Sequence, residues 1–305
     1  MNETLEELQE SLQLQEIPLH IECFDNSNFQ GSYPVSAMVC FKNGIPSKSD
    51  YRKFNIKTVK GINDFASMNE AVLRRYQSVI EKEMPLPQLI IIDGGNSNYK
   101  DSQRRGAWLA ERGIGFMDAG TSGGIWGLEN GYCLMVGATP EVAKIIEPIL
   151  IALAPSKENG WAHVGPIGAG HFTKMIHNGI EYGMMQAMAE GLDLLKGKED
   201  FKLDLAQITE LWRHGSVVRS WLLDLTADAL KEDQELTAVA PYVADSGEGR
   251  WTVMESVEQG VAVPVLTLAL QARFRSQDAT GFSYKLLSMM RNGFGGHFVK
   301  SVGDQ

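Results

Sequence analysis

The sequence has little of several features that define whole classes of protein. It contains only three cysteines in 305 residues and no Cys-x-x-Cys pair, which argues against a disulfide framework or structural zinc and favours a reducing cytoplasm. Its longest apolar stretch, 145–154, is interrupted by a glutamate and a proline and falls well short of the about 20 residues that span a bilayer. Residues 1–15 are acidic and helix-forming, unlike a secretory signal. We therefore expect a soluble, cytoplasmic protein.

Positive charge is also scarce. The 28 lysines and arginines are outnumbered by 38 aspartates and glutamates, so the formal net charge is −10, opposite in sign to that of a general nucleic-acid binder. The hydrophobic content of 44% is sufficient to fill the cores of two compact domains in a chain of this length. The composition thus predicts a globular protein for which nucleic acid is not an expected partner.

The period of the apolar residues divides the chain into an α/β part and an all-α part. Short strands and helices alternate in the first part, and Leu89-Ile-Ile-Ile-Asp93 is typical of a buried parallel strand that ends in a carboxylate. No linker separates the strands at 20–41 and 51–56 from those at 115–119 and 132–136, so a sheet shared by both groups is physically possible. Beyond Gly165 the period becomes 3.6, which predicts helices at 168–196, 204–213, 218–230, 252–259, 264–275 and 283–291.

One helix carries an unusual polar face. At 100° per residue, Lys174, His177, Asn178, Glu181 and Tyr182 share one side of it. Spacing alone favours a solvated face with i,i+4 pairs. The mixture of donors and acceptors is also suited to a polyhydroxy acid, and a lysine near a glutamate offers a base and an acid if burial lowers the lysine pKa. The opposite side is apolar and contains Phe172, Ile176, Ile180 and Met184.

Two further groups of residues suit an anionic ligand. The segment Gly120-Thr-Ser-Gly-Gly124 follows a predicted strand, and its glycines allow backbone N–H groups to approach a carboxylate or phosphate. Further along the chain, four side chains supply positive charge that can bind a phosphate, and these are Arg250, Arg273, Arg291 and His297. Each of them alone is typical of a surface residue.

From about residue 91 to residue 305 the chain resembles decarboxylating 6-phosphogluconate dehydrogenase in its shorter form. The strings IIDGGNSNYKDS, DAGTSGGIWGLENGYCLMVG, GAGHFTKMIHNGIEYGMMQA and GFGGH carry the resemblance. It implies oxidative decarboxylation of 6-phosphogluconate to ribulose 5-phosphate, a reaction of the pentose phosphate pathway, with NAD or NADP as cofactor. It also implies a homodimer in which the terminal segment of each chain reaches the neighbouring site.

The same resemblance implies roles for individual residues. Lys174 would take the proton from the 3-hydroxyl of the substrate during hydride transfer, and Glu181 would protonate C1 of the enediol left by decarboxylation. Asn96 would lie beside both the substrate and the cofactor. The remaining substrate-binding residues would be Ser122, Gly123, Gly124, His177 and Asn178 for the sugar acid, with Tyr182, Arg250 and Arg273 for its phosphate, and Arg291 and His297 from the neighbouring chain of the dimer.

The first 95 residues resemble a different family. The segments IECFDNSN, PVSAMV, DYRKFNIK and NDFASMN are similar to the ribonuclease H-like endonuclease domain of the excinuclease UvrC, the incision protein of bacterial nucleotide excision repair. This resemblance implies that Asp25 and Asp93 are two acidic ligands of a divalent metal. The family's further histidine and its helix-hairpin-helix modules have no counterpart here, and residues 1–93 hold 9 basic and 13 acidic residues. We therefore predict a nuclease remnant without incision activity, and the sequence leaves open whether it still binds a metal.

The string IIIDGG at 90–95 belongs to both resemblances and marks a junction. We predict an α/β then all-α fold, in which RNase H-like strands join the last βαβ part of a Rossmann-type sheet and a helical 6-phosphogluconate dehydrogenase C-terminal domain follows. The expected domains are the UvrC-like segment at 1–95, the remnant of the nucleotide-binding domain at 96–164 and the helical substrate-binding and dimerisation domain at 165–305.

The dinucleotide-binding turn G-x-G-x-x-G occurs nowhere in the sequence. The leading hypothesis is therefore a dehydrogenase-type protein with an intact substrate half and a replaced cofactor half. One alternative is a metal-dependent DNA incision domain. The other is an inactive fusion whose helical half only dimerises.

Overall fold

The computed structural model describes residues 5–6, 8–10, 14, 16–29, 32–59, 64–85, 89–92, 96–111 and 115–302. These residues divide into two compact units. The first unit comprises 1–182 and 246–266, and the second comprises 183–245 and 267–305. None of the described helices is both long enough and apolar enough to cross a membrane.

The N-terminal part of the first unit is a five-stranded sheet with one helix. Strand β1 pairs antiparallel with β2 and parallel with β5, which gives the order β3-β2-β1-β5, while β4 pairs with β2 on the same edge as β3. Phe24, Met38, Cys40 and Met68 form the core between sheet and helix. The elements are β1 (His20–Phe29), β2 (Ser32–Lys42), β3 (Ile45–Pro46), β4 (Arg52–Asn55), α1 (Asp64–Glu81) and β5 (Leu89–Ile92).

The turn between β2 and β3 follows directly from its sequence. Asn43 and Gly44 both have positive φ, 53° and 75°, which is the conformation that a two-residue hairpin needs to match the twist of its strands. Asparagine and glycine are the residues that adopt it at the lowest cost.

A separate three-stranded sheet follows in the same unit. Strand β7 pairs antiparallel with β6 and parallel with β8, and the helix α4 connects β7 to β8. The described strands therefore form two sheets, and the shared sheet that the sequence allowed does not occur among them. The elements are α2 (Tyr99–Ala110), β6 (Met117–Ser122), α3 (Gly127–Asn130), β7 (Cys133–Ala138), α4 (Pro140–Leu153) and β8 (Trp161–Gly165).

Helices make up the rest of the described chain, as the change of period predicted. Asp204 and Ser220 act as N-caps of two of these helices, each accepting a hydrogen bond from a backbone N–H three residues on. Leu192, Leu205 and Leu230 form a buried cluster within the second unit. The elements are α5 (Ala169–Lys196), α6 (Leu205–Arg213), α7 (Trp221–Glu232), α8 (Glu248–Gln259), α9 (Pro264–Gln277) and α10 (Phe282–Gly295).

Candidate active site

Three polar residues of α5 are buried, while two residues of its apolar side are exposed. Lys174, Asn178 and Tyr182, at i, i+4 and i+8, are 5%, 8% and 7% exposed, whereas Ile180 and Met184 are 51% and 44% exposed. The solvated-face interpretation, which spacing alone favoured, is therefore wrong for these three residues. Burying polar groups is costly unless they find partners, so the stripe needs polar neighbours or a polar ligand.

Three glycines allow α5 to approach the second sheet this closely. A Cβ on Gly120 in β6 would lie 2.3 Å from Cβ of Lys174 and 2.6 Å from the carbonyl oxygen of Gly170. A Cβ on Gly170 would lie 2.4 Å from the carbonyl oxygen of Met135, and one on Gly137 would lie 2.8 Å from the backbone nitrogen of Gly170. Glycine at these positions lets the backbone of the helix rest on the strands, which places Lys174 directly over β6.

The buried face of α5 forms a chain of polar contacts around Lys174. Its Nζ lies 3.4 Å from Nδ1 of His177, and the same ring nitrogen lies 3.1 Å from Oδ1 of Asn178. The amide nitrogen of Asn178 donates to Oδ1 of Asn96 at 3.4 Å, and Oε2 of Glu181 lies 3.9 Å from Nδ1 of His177. Five of the residues that the sequence placed in one site are therefore neighbours, four of them on α5 and the fifth, Asn96, in the loop before α2.

Burial lowers the pKa of Lys174, although the nearby carboxylates of Glu181 and Glu248 act in the opposite direction. The physical cause is desolvation, since an ammonium group loses its hydration when it leaves water. A lysine whose pKa is lowered towards neutrality has a larger neutral fraction and can accept a proton. The Lys174 amine therefore meets a chemical requirement for a general base.

The glycine-rich segment lies at the end of β6 and is shorter than the sequence indicated. Residues 120–122 belong to the strand, and only Gly123 and Gly124 form the turn. Their φ angles of 139° and 52° are ones that glycine adopts without strain. The prediction of a loop over 120–124 was wrong at its start because Thr121 and Ser122 pair with Leu134 and Cys133 of β7.

The residues predicted to bind the phosphate divide between the two units. Tyr182 and Arg250 lie in the first unit, where the hydroxyl of Tyr182 accepts a hydrogen bond from the backbone N–H of Ser246 at 3.4 Å. The helix α8 begins at Glu248, earlier than the predicted Thr252, because residues 248–251 continue the helical hydrogen bonding. Arg250 thus lies in the first turn of α8 and is exposed.

Arg273, Arg291 and His297 lie in the second unit. Arg273 donates to the carbonyl oxygen of Ala244 at 2.8 Å. The ring of His297 lies edge-on to Phe294, with 5.9 Å between their centroids. The assignment of Arg273 to the phosphate, and of Arg291 and His297 to the site of the neighbouring chain, stays a prediction.

Two buried acids beside α5 were not identified from the sequence. Asp118 in β6, 1% exposed, accepts hydrogen bonds from the backbone N–H groups of Gly168 at 2.5 Å and His171 at 2.7 Å. Glu248 is 4% exposed and accepts a hydrogen bond from the hydroxyl of Ser246 at 2.5 Å. The sequence contained one signal for Asp118. A charged residue within a short apolar strand needs a buried partner, so its position alone could have identified it.

Neither of the two acids predicted to bind a metal has a described side chain. Asp25 lies in β1, but its side chain is not among those described, and Asp93 lies outside the described residues. His20, Glu22 and Cys40 offer ligand atoms within 4.8 Å of one another. Glu22, however, already forms an ion pair with Arg75 and accepts a hydrogen bond from the hydroxyl of Tyr76 at 2.9 Å. We interpret this cluster as a buried ion pair, since a guanidinium beside the carboxylate would repel a cation.

Three family models match the chain. Residues 9–109 match the UvrC RNase H endonuclease domain, residues 65–165 match the NAD binding domain of 6-phosphogluconate dehydrogenase, and residues 170–282 match the C-terminal domain of the same enzyme. The first two matches overlap over 65–109, which contains the predicted junction.

A decarboxylating, NAD⁺-dependent 6-phosphogluconate dehydrogenase of Haloferax volcanii is 41% identical over 217 residues, which are 70% of this chain and 71% of that protein. The chain belongs to the 6-phosphogluconate dehydrogenase family. A 6-phosphogluconate dehydrogenase structure from Plasmodium falciparum, determined as the apo form and in complexes with NADP⁺ and with 6-phosphogluconate, has a TM-score of 0.58 at 28% identity. It matches 77% of this chain and 50% of that chain.

The N-terminal segment has a separate origin. UvrABC system protein C of Cytophaga hutchinsonii is 67% identical over 91 residues, which are 30% of this chain but only 15% of that protein. This member of the 6-phosphogluconate dehydrogenase family is thus a fusion, with a UvrC-type RNase H segment before the dehydrogenase segments. The predicted fold class is confirmed.

Proposed function

We propose that the polar face of α5 binds 6-phosphogluconate and performs the proton transfers of its oxidative decarboxylation to ribulose 5-phosphate. The burial of Lys174, Asn178 and Tyr182 carries the proposal, because the helix leaves Ile180 exposed while it keeps these polar groups inside. A stripe that stays polar at this cost is typical of a binding site. The relatives named for this activity support the choice of substrate.

In this proposal Lys174 acts first, as a base, and Glu181 acts later, as an acid. The neutral amine of Lys174 takes the proton from the 3-hydroxyl while that carbon is oxidised. Glu181, which is partly exposed and can exchange its proton with water, then protonates C1 of the enediol. The sugar acid is held by Asn96, Ser122, Gly123, Gly124, His177 and Asn178, and its phosphate by Tyr182, Arg250 and Arg273.

A nicotinamide cofactor would accept the hydride in this reaction. In this proposal Asn96, which accepts a hydrogen bond from Asn178 beside the substrate face, would lie against its nicotinamide. The first turn of α2 is engaged elsewhere: Asn98 caps it, and Tyr99 and Lys100 bind Glu255 and Glu258 of α8. The match of residues 65–165 to the NAD binding domain of 6-phosphogluconate dehydrogenase supports binding of such a cofactor. The steps that we assign to named residues are substrate binding and proton transfer.

Calorimetric titration tests the binding step. We expect 6-phosphogluconate to bind the purified protein, and NAD⁺ and NADP⁺ are titrated separately to measure whether either binds. Absence of 6-phosphogluconate binding would contradict the proposal.

Isotope exchange tests the proton transfers without any hydride step. By microscopic reversibility, Glu181 would remove a proton from C1 of ribulose 5-phosphate while Lys174 protonates the C2 carbonyl oxygen. We expect one of the two C1 protons of ribulose 5-phosphate to exchange in D₂O, and the Glu181→Gln variant to abolish this exchange while it retains 6-phosphogluconate binding. Equal exchange rates in both proteins would assign the chemistry to another group.

A second function is favoured only by the match of residues 9–109 to the UvrC RNase H endonuclease domain. It would require Mg²⁺- or Mn²⁺-dependent nicking of DNA that the Asp25→Asn variant abolishes. We expect no nicking, because the segment carries a net negative charge and because Glu22 is already paired with Arg75 and so is not free to bind a metal.

We also propose that the chain consists of three domains of different origin. Their bounds are 1–95, 96–164 and 165–305. The boundary between the first two is supported by the overlap of the family models at 65–109. Limited proteolysis, with mass spectrometry of the fragments, tests these boundaries.

A further inference from the structure

Asp118 caps α5 from a strand that lies about 50 residues earlier in the chain. Its Oδ1 accepts a hydrogen bond from the N–H of Gly168, and its Oδ2 accepts one from the N–H of His171. The N–H of His171 belongs to the first turn of α5, where no intrahelical partner exists, and Gly168 directly precedes that helix. A carboxylate at this end of a helix is favoured both by the hydrogen bonds and by the helix dipole.

The contacts along β6 show that strand and helix run side by side in the same direction. Residues 118, 120 and 122 share one face of the strand, because side chains alternate along it. Asp118 meets the first turn of α5, and Gly120 lies under Gly170 and Lys174. The next residue on that face, Ser122, ends the strand at the Gly123–Gly124 turn. The position of α5 along β6 therefore sets the position of the Lys174 amine relative to that turn.

The glycine contacts alone cannot fix this position. They allow a close approach, but they have no direction along the helix axis, so a helix resting on glycine could slide along the strand. The two hydrogen bonds to Asp118 are directional and lie at one end of the contact, one helical turn before Lys174. They oppose such a slide from β6, together with the hydroxyl of Thr252 in α8, which donates to the carbonyl oxygen of Met175 in α5 at 2.9 Å.

Two further residues hold this cap in place. The hydroxyl of Ser102 in α2 lies 2.7 Å from Nδ1 of His171, and Oδ2 of Asp118 lies 3.8 Å from the same nitrogen. Serine, histidine and aspartate also form hydrolase triads, but in those the serine and the aspartate contact opposite ring nitrogens. Here both contact one nitrogen, and all three residues are at least 95% buried. This arrangement is suited to holding the helix and not to nucleophilic catalysis.

We infer that Asp118 is a positioning residue, which fixes the register of α5 on β6 and so places the amine of Lys174 against the Ser122–Gly124 turn. The inference about the register is drawn from these contacts and does not depend on the proposed function. Its consequence for substrate binding rests on the proposed function. Removing the cap would let the start of α5 move away from β6 and let water reach Lys174.

The test measures Lys174 directly. Competitive acetylation followed by mass spectrometry gives the pH midpoint of Lys174 reactivity in the full chain without any ligand. We expect the Asp118→Ala variant to raise this midpoint towards the value of a solvated lysine, about 10.4. We expect Asp118→Asn, which keeps one acceptor oxygen and the shape of the side chain, to give a smaller rise. Binding of 6-phosphogluconate should weaken about tenfold or more in the alanine variant.

Asp204 provides the matched control, because it caps α6 through the N–H of Gln207 at 3.0 Å, on the protein surface. Asp204→Ala should leave the midpoint and the affinity unchanged. If folded Asp118→Ala and Asp118→Asn proteins lose thermal stability but keep the parent midpoint and affinity, the role of Asp118 is only structural and the inference is wrong. If the parent protein does not bind 6-phosphogluconate, the proposed function fails, while a raised midpoint in the variants still supports the register.

Discussion

At the residue scale, Lys174 brings an ammonium group into a site that is 5% exposed. Because burial lowers its pKa, the unfolded chain binds more protons than the native protein at pH values between the two pKa values. The free energy of unfolding should therefore rise with pH through that window. Below it the charged lysine destabilises the fold, and above about pH 10.4 the penalty disappears.

Lys174→Met should accordingly stabilise the protein at neutral pH while it abolishes C1 proton exchange. We expect a gain of ~1 kcal/mol, or about 2 to 4 °C in Tm, at pH 7. Thermal unfolding at pH 7 and pH 10 measures it, and the gain should shrink at the higher pH. Lys100→Met is the control: its exposed amine donates to Glu258, and this hydrogen bond raises the pKa of Lys100, so its loss should not stabilise the protein. A destabilised Lys174→Met protein would contradict this account.

The polar face of α5 could be predicted from the sequence, because the period of 3.6 places Lys174, Asn178 and Tyr182 on one side. Its burial could not. That depends on Gly120, which comes from a strand about 50 residues earlier, and on Asp118 beside it. A helical pattern shows which residues share a face but not which face is turned inward.

At the element scale, the contact of β6 with α5 depends on the absence of side chains. Gly120→Ala would place a methyl group 2.3 Å from Cβ of Lys174 and 2.6 Å from a backbone oxygen, neither of which can move freely. We expect a loss of about 1 to 3 kcal/mol or more and weaker 6-phosphogluconate binding. Urea denaturation and calorimetry measure the two effects.

Gly191→Ala is the control in the same helix, since its Cβ would meet nothing within 4 Å. Replacing an exposed helical glycine by alanine should stabilise α5 by about 0.5 to 1 kcal/mol. If both variants changed stability in the same direction, the close contact would not be the cause.

The ion pair between Glu22 and Arg75 joins β1 to α1 in the N-terminal sheet. Burial raises the pKa of Glu22, but hydrogen bonds from Arg75 and Tyr76 outweigh it, so the pKa is lowered overall. The pair therefore contributes stability above the pKa of an unfolded glutamate, about 4.3, and loses it as the pH falls through the lowered value. Arg75→Met would leave a buried carboxylate unpaired.

We expect Arg75→Met to cost about 3 to 5 kcal/mol at pH 8. The loss of unfolding free energy should be smaller at pH 5, because an unpaired buried carboxyl group takes up a proton more readily and then carries no charge. Arg74→Met is the matched control. Its partner Glu70 keeps hydrogen bonds from the backbone N–H groups of Lys57 and Thr58 and from the Thr58 hydroxyl. Urea denaturation at both pH values measures the unfolding free energy of the two variants. Equal losses in both would show that the burial of the Glu22 carboxylate does not cause the effect.

Most helices could be predicted from the period of their apolar residues. The helix α4 and the strand β8 were not predicted. The strand β8 has three exposed residues in a row, so it lacks the alternation that marks a half-buried strand. The helix α4 begins at Pro140, with Thr139 as its N-cap accepting from Val142, a start signal that the apolar stretch at 145–154 obscured.

At the scale of the whole molecule, the fusion could be read from the sequence because both segments retain specific strings around 90–95. The separation of the two sheets could not. Both families use this segment as a strand, and only the pairing of β5 with β1 assigns it to the first sheet.

The predicted exchange of terminal segments in a homodimer can be tested by complementation. Lys174→Ala and His297→Ala chains should each fail to bind 6-phosphogluconate. Mixing and refolding them together should restore about a quarter of the sites, because half of the dimers are hybrids and each hybrid contains one intact site. Calorimetric stoichiometry measures the recovery. No recovery, or a monomer of 33.7 kDa in sedimentation, would contradict the exchange.

The outward apolar stripe of α5, with Ile180 and Met184 half exposed, has a consequence for how the protein is handled. If a second copy covers this stripe, folding and assembly share one equilibrium, and mass action makes the melting temperature depend on protein concentration. Dilution would then act as a mild denaturant, and a purified sample would lose its structure on storage at nanomolar levels before a concentrated stock does.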